Sequence, residues 1–194
     1  MTANGEQKKK SGGTSRNRKR ILVVDDHPLM RKGIAALIGT VPDLVLCGQA
    51  GSGEETLALM KKARPDLILL DLSLSGCNGI QLLKTLREKY PAIRVLVFSM
   101  YEEGIYAERV LRAGADGYIM KKESGTRIME AIRCVLQGEI YVSTPVALQL
   151  VKQFLKGRQA SKTIDVDRLS NRELQVYTYL GNGFSSREIA DRLQ

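Results

Sequence analysis

The chain has 194 residues and a net charge of +9, which leaves room for one full domain and part of a second when domains run about 100 to 150 residues. No apolar run approaches the roughly 18 residues of a membrane span, and three scattered cysteines, Cys47, Cys77 and Cys134, suggest neither a disulfide framework nor a zinc site and fit a reducing cytoplasm. The charge is uneven: residues 1–20 hold seven Lys/Arg against Glu6 alone, so +6 lies in this tail and +3 in everything after it.

The tail, MTANGEQKKKSGGTSRNRKR, has no apolar residue beyond Met1 and Ala3. It cannot bury enough surface to offset the entropy of ordering and is expected to be disordered and solvated. It lacks the apolar middle of a secretory signal, and its charge leaves non-specific contact with a polyanion as a second reading.

From residue 21 onward, apolar runs alternate with amphipathic ones. Residues 21–24, 44–50, 66–70, 93–99 and 116–120 read as five strands, several of them apolar almost throughout, as when helices cover both faces of a parallel sheet. Helical periodicity fills 28–39, 54–63, 79–89, 104–113 and 125–137. The last segment sets Ile128, Ile132, Val135 and Leu136 on one stripe, with Ser124 as N-cap and Gly138 as stop. Five strand–helix units predict a doubly wound α/β domain over residues 20–139.

After Glu139 the pattern becomes all-helical. Ala147, Leu150, Val151 and Phe154 share one helical face, and a polar linker follows, so 140–167 reads as helix and linker. From Ser170 come two capping boxes, Ser170 with Glu173 and Ser185 with Glu188, with Gly183 ending the first helix between them. Residues 168–194 therefore predict helix, tight turn and helix, a pair too small to close a core alone.

The strand ends carry the chemistry. Asp25 and Asp26 follow the first strand, Asp71 the third, Ser99 the fourth and Lys121 the fifth, and in open α/β sheets ligands bind at the carboxyl ends of strands. Adjacent carboxylates repel unless a cation lies between them. Mg²⁺ takes oxygen ligands and keeps several waters beside phosphoryl groups, so Asp25, Asp26 and Asp71 are candidate metal ligands. An Asp71 oxygen left free could attack a phosphoryl group, with Lys121 and Ser99 meeting the new oxygens. Nothing here requires a general base, so His27 is expected to serve as a surface or capping residue.

VVDDHP, LILLDLSLSGCNG, LVFSM and AGADGYIMKK resemble the receiver domain of two-component response regulators. LSNRELQVYTYLGNGFSSREIADRL resembles the start of a LuxR-type helix-turn-helix, so the whole chain looks like a NarL/FixJ-type regulator. The resemblance implies a flavodoxin-like sheet of order 2-1-3-4-5, a phosphoryl group taken from a histidine kinase onto Asp71, and Mg²⁺ held by Asp25, Asp26, Asp71 and the main-chain carbonyl of Ser73. It further implies that Ser99 and Lys121 contact the phosphoryl group, and that Tyr118 swings inward when Ser99 moves. Homodimerisation on phosphorylation and transcriptional regulation through DNA in the complete protein follow from it, as does a cytoplasmic location with no membrane partner.

The chain departs from that pattern in places. Ser75 stands where a proline is usual, predicting a looser turn before Gly79. Tyr101, two residues past Ser99, is expected to shield an acyl phosphate from water and slow its hydrolysis. Residues 168–194 hold Ser170, Arg172, Glu173, Ser185, Ser186 and Arg187 on the supporting segment, but the helix that reads base edges would follow. The chain is thus expected to be a shortened regulator that does not bind DNA specifically. An output-less receiver acting through protein contacts is the alternative. A Mg²⁺-dependent aspartyl-phosphate phosphatase is disfavoured by Ser73, where such enzymes resemble one another in carrying a second Asp, and a dinucleotide enzyme by the absence of glycines in DDHPLM.

Overall fold

The computed structural model describes residues 18–155, 169–181 and 183–192. The expected disordered tail as far as residue 17, and the linker at 157–167, lie outside the described residues.

Five parallel strands form the central sheet: β1 (Lys19–Val24), β2 (Leu44–Ala50), β3 (Leu67–Leu70), β6 (Arg94–Ser99) and β7 (Gly117–Met120). Their spatial order is β2-β1-β3-β6-β7. Counted along the chain, this is the 2-1-3-4-5 order implied by the resemblance, because a short hairpin, β4 (Ser73–Leu74) with β5 (Cys77–Asn78), intervenes outside the sheet. The helices are α1 (Pro28–Gly39), α2 (Gly53–Ala63), α3 (Gly79–Lys89), α4 (Glu103–Arg112) and α5 (Gly125–Leu136), followed by α6 (Thr144–Leu155), α7 (Asn171–Gly181) and α8 (Ser186–Arg192).

Side chains alternate across a strand, so each apolar run supplies two cores. Leu22, Val24, Ile68, Leu70, Val95 and Val97 face one layer with Met60, Leu83, Leu86, Tyr106 and Val110. Ile21, Val23, Leu67, Leu69, Leu96 and Phe98 face the other with Ile34, Ile38, Ile128, Ile132 and Val135. Each fully buried aliphatic side chain contributes about 1.5–3 kcal/mol, which is why these strands tolerate almost no polar residue before their ends. Val146 of α6 and Leu174 of α7 join the first core.

Helix starts follow local chemistry. Ser52 accepts from Glu55 N, Asn78 from Ile80 N and Gln81 N, and Ser124 from Arg127 N. Both predicted capping boxes form: Ser170 N donates to Glu173 Oε2 at 2.7 Å, and Ser185 N to Glu188 Oε2 at 2.8 Å. Gly183 has φ 83° and its N–H returns to the Leu180 carbonyl at 3.0 Å.

Two features differ from the expectations above, and a third adds to them. Lys19 and Arg20, read as tail, belong to β1, because Arg20 N donates to Asp66 Oδ2 at 2.7 Å and its guanidinium to the Ala63 carbonyl at 2.9 Å. The turn at Ser75 is not loose: it is the tip of the β4–β5 hairpin, with Gly76 at φ 72° as a two-residue turn requires. The free edge of β7 is covered by Tyr141, whose carbonyl accepts from Tyr118 N at 2.8 Å while its own N–H donates to Asp116 O at 3.1 Å.

Candidate functional site

The parallel ladder runs one residue past the strand ends and sets the polar side chains in place. Asp25 N donates to the Ala50 carbonyl at 3.0 Å, Asp71 N to Val24 O at 2.8 Å, and Lys121 N to Ser99 O at 2.8 Å. Asp25, Asp71, Ser99 and Lys121 are consequently brought together at the carboxyl edge, and Asp26 lies at the rim. The backbone of the Asp71 loop is held closely from the other side, since a Cβ on Gly79 would lie 2.5 Å from Leu72 Cα.

Lys121 is the centre of this cluster. Its ammonium is 2.7 Å from Asp25 Oδ2 and 2.7 Å from Asp71 Oδ2, with a side chain only 3% exposed. Asp25 is fixed further by His27 N, which donates to Oδ1 at 2.8 Å, and its carbonyl accepts from Arg31 at 2.5 Å. Asp26 turns outward, where Ser75 donates to its Oδ2 from both hydroxyl and N–H. The exposed His27 ring sits with Nδ1 2.7 Å from Asp26 Oδ1, at the N-cap position of α1 but without a side-chain capping bond.

Asp71 Oδ1 is buried with no well-aligned hydrogen-bond donor, although a buried carboxylate oxygen normally has one. Burial pushes the Asp71 carboxyl above its ordinary range, against the pull of Lys121 and the Ser73 N–H. Asp26 goes the other way: desolvation raises it, but the Ser75 hydrogen bonds and His27 outweigh that and hold it below the usual carboxylate value.

Three carboxylates against one ammonium leave an excess of negative charge. Ligand atoms of Asp25, Asp26, His27 and Asp71 lie within 4.8 Å of one another. A hard divalent cation takes carboxylate oxygens of this kind as ligands and would offset the excess charge. The residues present therefore fit Mg²⁺. Ser73 opens β4 beside the cleft, two residues past Asp71.

On the far side, Ser99 is fully buried and its hydroxyl accepts from Tyr101 N at 3.4 Å. Tyr118 is also fully buried, its hydroxyl donating to the Tyr101 carbonyl at 2.7 Å, so the inward position is the one occupied here. Burial raises its phenol well above the ordinary value. Tyr101 stacks on Tyr106 with ring centroids 4.7 Å apart.

Sequence reasoning did not single out Tyr106, Arg31 or Asn78, and it flagged Ser75 without its contact to Asp26. Asn78 followed by an amphipathic run was a legible capping signal; the others depend on distant partners. Arg172, Ser185, Ser186 and Arg187 are exposed on α7, α8 and the turn between them. That segment meets the sheet domain through buried Leu174 and through Arg109 of α4, which donates to the Leu169 carbonyl at 2.5 Å. No described helix is long and apolar enough to cross a membrane.

Comparison with known proteins adds a family. Residues 21–133 match the response regulator receiver domain. The chain is 36% identical over 175 residues to the nitrate/nitrite response regulator protein NarL of Escherichia coli K12, covering 89% of this chain and 80% of that one. Response regulator GacA of Pseudomonas aeruginosa is 34% identical over 174 residues, with 90% and 80% covered. The crystal structure of a LuxR-family two-component response regulator from Aurantimonas sp. SI85-9A1 superposes with a TM-score of 0.65 at 30% identity, over 71% of this chain and 99% of that chain.

Proposed function

Because the chain belongs to the response regulator family, with a receiver domain and relatives of the NarL and LuxR type, we propose that it is a phosphoacceptor switch in which Asp71 takes a phosphoryl group from a histidine kinase. The observation that carries this is the buried Asp71 carboxylate, one oxygen of which is held by Lys121 at 2.7 Å while the other, Oδ1, has no well-aligned donor. Such an oxygen is a ready nucleophile. It forms a bond to phosphorus as the bond from phosphorus to the kinase imidazole breaks, and the imidazole leaves with the electron pair.

Asp25, Asp26, Asp71 and the Ser73 carbonyl would hold Mg²⁺, which when bound supplies charge neutralisation for the phosphoryl oxygens. Lys121, now shared between two carboxylates, would follow the transferred oxygens, and the Ser99 hydroxyl would donate to one of them. Burial of Asp71, Ser99 and the Lys121 side chain would limit competing water.

The output would be a population shift. Ser99, Tyr101 and Tyr118 form one hydrogen-bonded series from the cleft to the β7 edge, where Tyr118 N meets the Tyr141 carbonyl. A move at Ser99 would bias this edge and α4, favouring a homodimer and altering how α7 docks. DNA binding would involve a helix-turn-helix that includes α7 and α8. The packing of Leu174 into the receiver core favours this reading over that of a receiver without output. Ser73 in place of a second acid favours a switch over a phosphatase that turns over.

The test is incubation with acetyl phosphate and Mg²⁺, read by intact mass. A gain of one phosphoryl group that disappears in Asp71→Asn and in EDTA is expected. A gain retained by Asp71→Asn would overturn the assignment.

A further inference from the structure

Resting on the metal-dependent reading above, we propose that Ser75 is a positioning residue that sets which divalent cation the acidic cleft prefers, through its double hold on Asp26. The Ser75 hydroxyl donates to Asp26 Oδ2 at 2.6 Å and its N–H donates to the same oxygen at 3.2 Å. The partners are 49 residues apart in sequence, so this contact is made only by the fold.

The hairpin makes both donors available. Leu74 pairs with Cys77, which leaves Ser75 and Gly76 as the two-residue tip, and the Ser75 N–H is free of the ladder. A proline in this place would offer neither donor. With Oδ2 engaged by Ser75, only the buried Oδ1 of Asp26, which lies 2.7 Å from His27 Nδ1, is left for the cleft.

One fixed oxygen suits one class of ion. Mg²⁺ takes single oxygens at 2.0–2.1 Å in near-ideal octahedral geometry, whereas Ca²⁺ takes about six to eight oxygens at 2.3–2.6 Å and often grips a carboxylate through both. Selectivity between them comes from ligand number and ligand freedom. Ser75 removes both the second oxygen and the rotation of Asp26, and so favours the smaller ion.

The experiment is calorimetric titration of the full chain with MgCl₂ and, separately, CaCl₂, for the wild type, Ser75→Ala, Ser75→Pro, Ser75→Thr and Asp71→Asn, with thermal melts confirming that each variant is folded. Pro is favoured at the first central position of such a turn, so Ser75→Pro removes both donors without opening the hairpin. The preference for Mg²⁺ over Ca²⁺ is expected to fall roughly 10-fold in Ser75→Ala and Ser75→Pro, the usual scale for loss of an outer partner of a metal ligand, and to be retained in Ser75→Thr. An unchanged ratio in Ser75→Ala, equal shifts for both ions, or a Ser75→Thr that behaves like Ser75→Ala overturns the proposal. If the wild type binds Mg²⁺ in an Asp71-dependent way and the ratio does not move, only the role of Ser75 falls. If the wild type binds neither ion, the metal-dependent reading falls and takes this one with it.

Discussion

Lys121 and Asp71 meet at 2.7 Å inside the carboxyl edge of the sheet, both sealed from solvent, and the same ammonium holds Asp25 at 2.7 Å. One cation thus serves two buried carboxylates, and Asp71 keeps an oxygen with no well-aligned donor. The cleft is poised to gain positive charge or to lose negative charge, and its chemistry follows from that imbalance.

Asp71→Asn is expected to stabilise the metal-free protein. Burial raises the Asp71 carboxyl, so between its unfolded and folded values the native state binds more protons than the unfolded chain. Stability contributed at this site therefore falls as pH rises through that window. The substitution removes the fall and should lift the melting temperature at neutral pH in EDTA by roughly 2–4 °C, if about 1 kcal/mol is relieved. Melting curves of both proteins across pH test this; a lower melting temperature for Asp71→Asn at every pH would contradict it.

Mg²⁺ should reverse the order. An ion that binds only the native state adds about 2.7 kcal/mol at a hundredfold excess over its dissociation constant, and Asp71→Asn should lose most of that gain. As pH falls, Asp71 takes its proton before Asp26, which Ser75 and His27 keep ionised after outweighing its desolvation. The Mg²⁺-dependent increment should thus disappear first through Asp71. Differential scanning with and without MgCl₂ reads this directly.

Lys121→Met leaves Asp25 and Asp71 facing each other without a counter-charge. Breaking a buried ion pair from one side costs about 3–5 kcal/mol. Urea unfolding should show a loss of that order, and adding Asp71→Asn to the variant should recover part of it. Additive losses in the double variant would mean the two side chains do not share one interaction.

Tyr118→Phe deletes the hydroxyl that reaches the Tyr101 carbonyl. Leaving that acceptor unpaired costs about 1–3 kcal/mol. Phosphorylation by acetyl phosphate should persist while the shift in oligomeric state weakens, as read by light scattering on a sizing column. Loss of phosphorylation itself would place Tyr118 in the cleft chemistry instead.

Tyr101→Ala should shorten the life of the acyl phosphate. Tyr101 N donates to the hydroxyl of the buried Ser99 and the Tyr101 ring stacks on Tyr106, so the substitution would remove bulk next to Ser99 and admit water. A several-fold faster loss of the phosphoryl group, followed by intact mass after removing acetyl phosphate, is expected. A wild-type lifetime of only seconds would argue against any shielding.

The sequence by itself determined the sheet and the place of the cleft. Val24 to Asp25, Leu70 to Asp71 and Met120 to Lys121 are abrupt changes from apolar to charged, and a parallel strand buried on both faces makes such changes legible along the chain. The capping boxes at Ser170 and Ser185 were legible for a similar reason, since their partners lie three residues away. Only the tertiary structure decided what spans distance: Ser75 on Asp26, Tyr141 against the β7 edge, Tyr118 turned inward, and Lys19 and Arg20 drawn into β1 by Asp66 and Ala63. Periodicity reports a residue's environment within a few turns. The partner across a crossover is chosen by how whole elements pack, and no local pattern carries that choice.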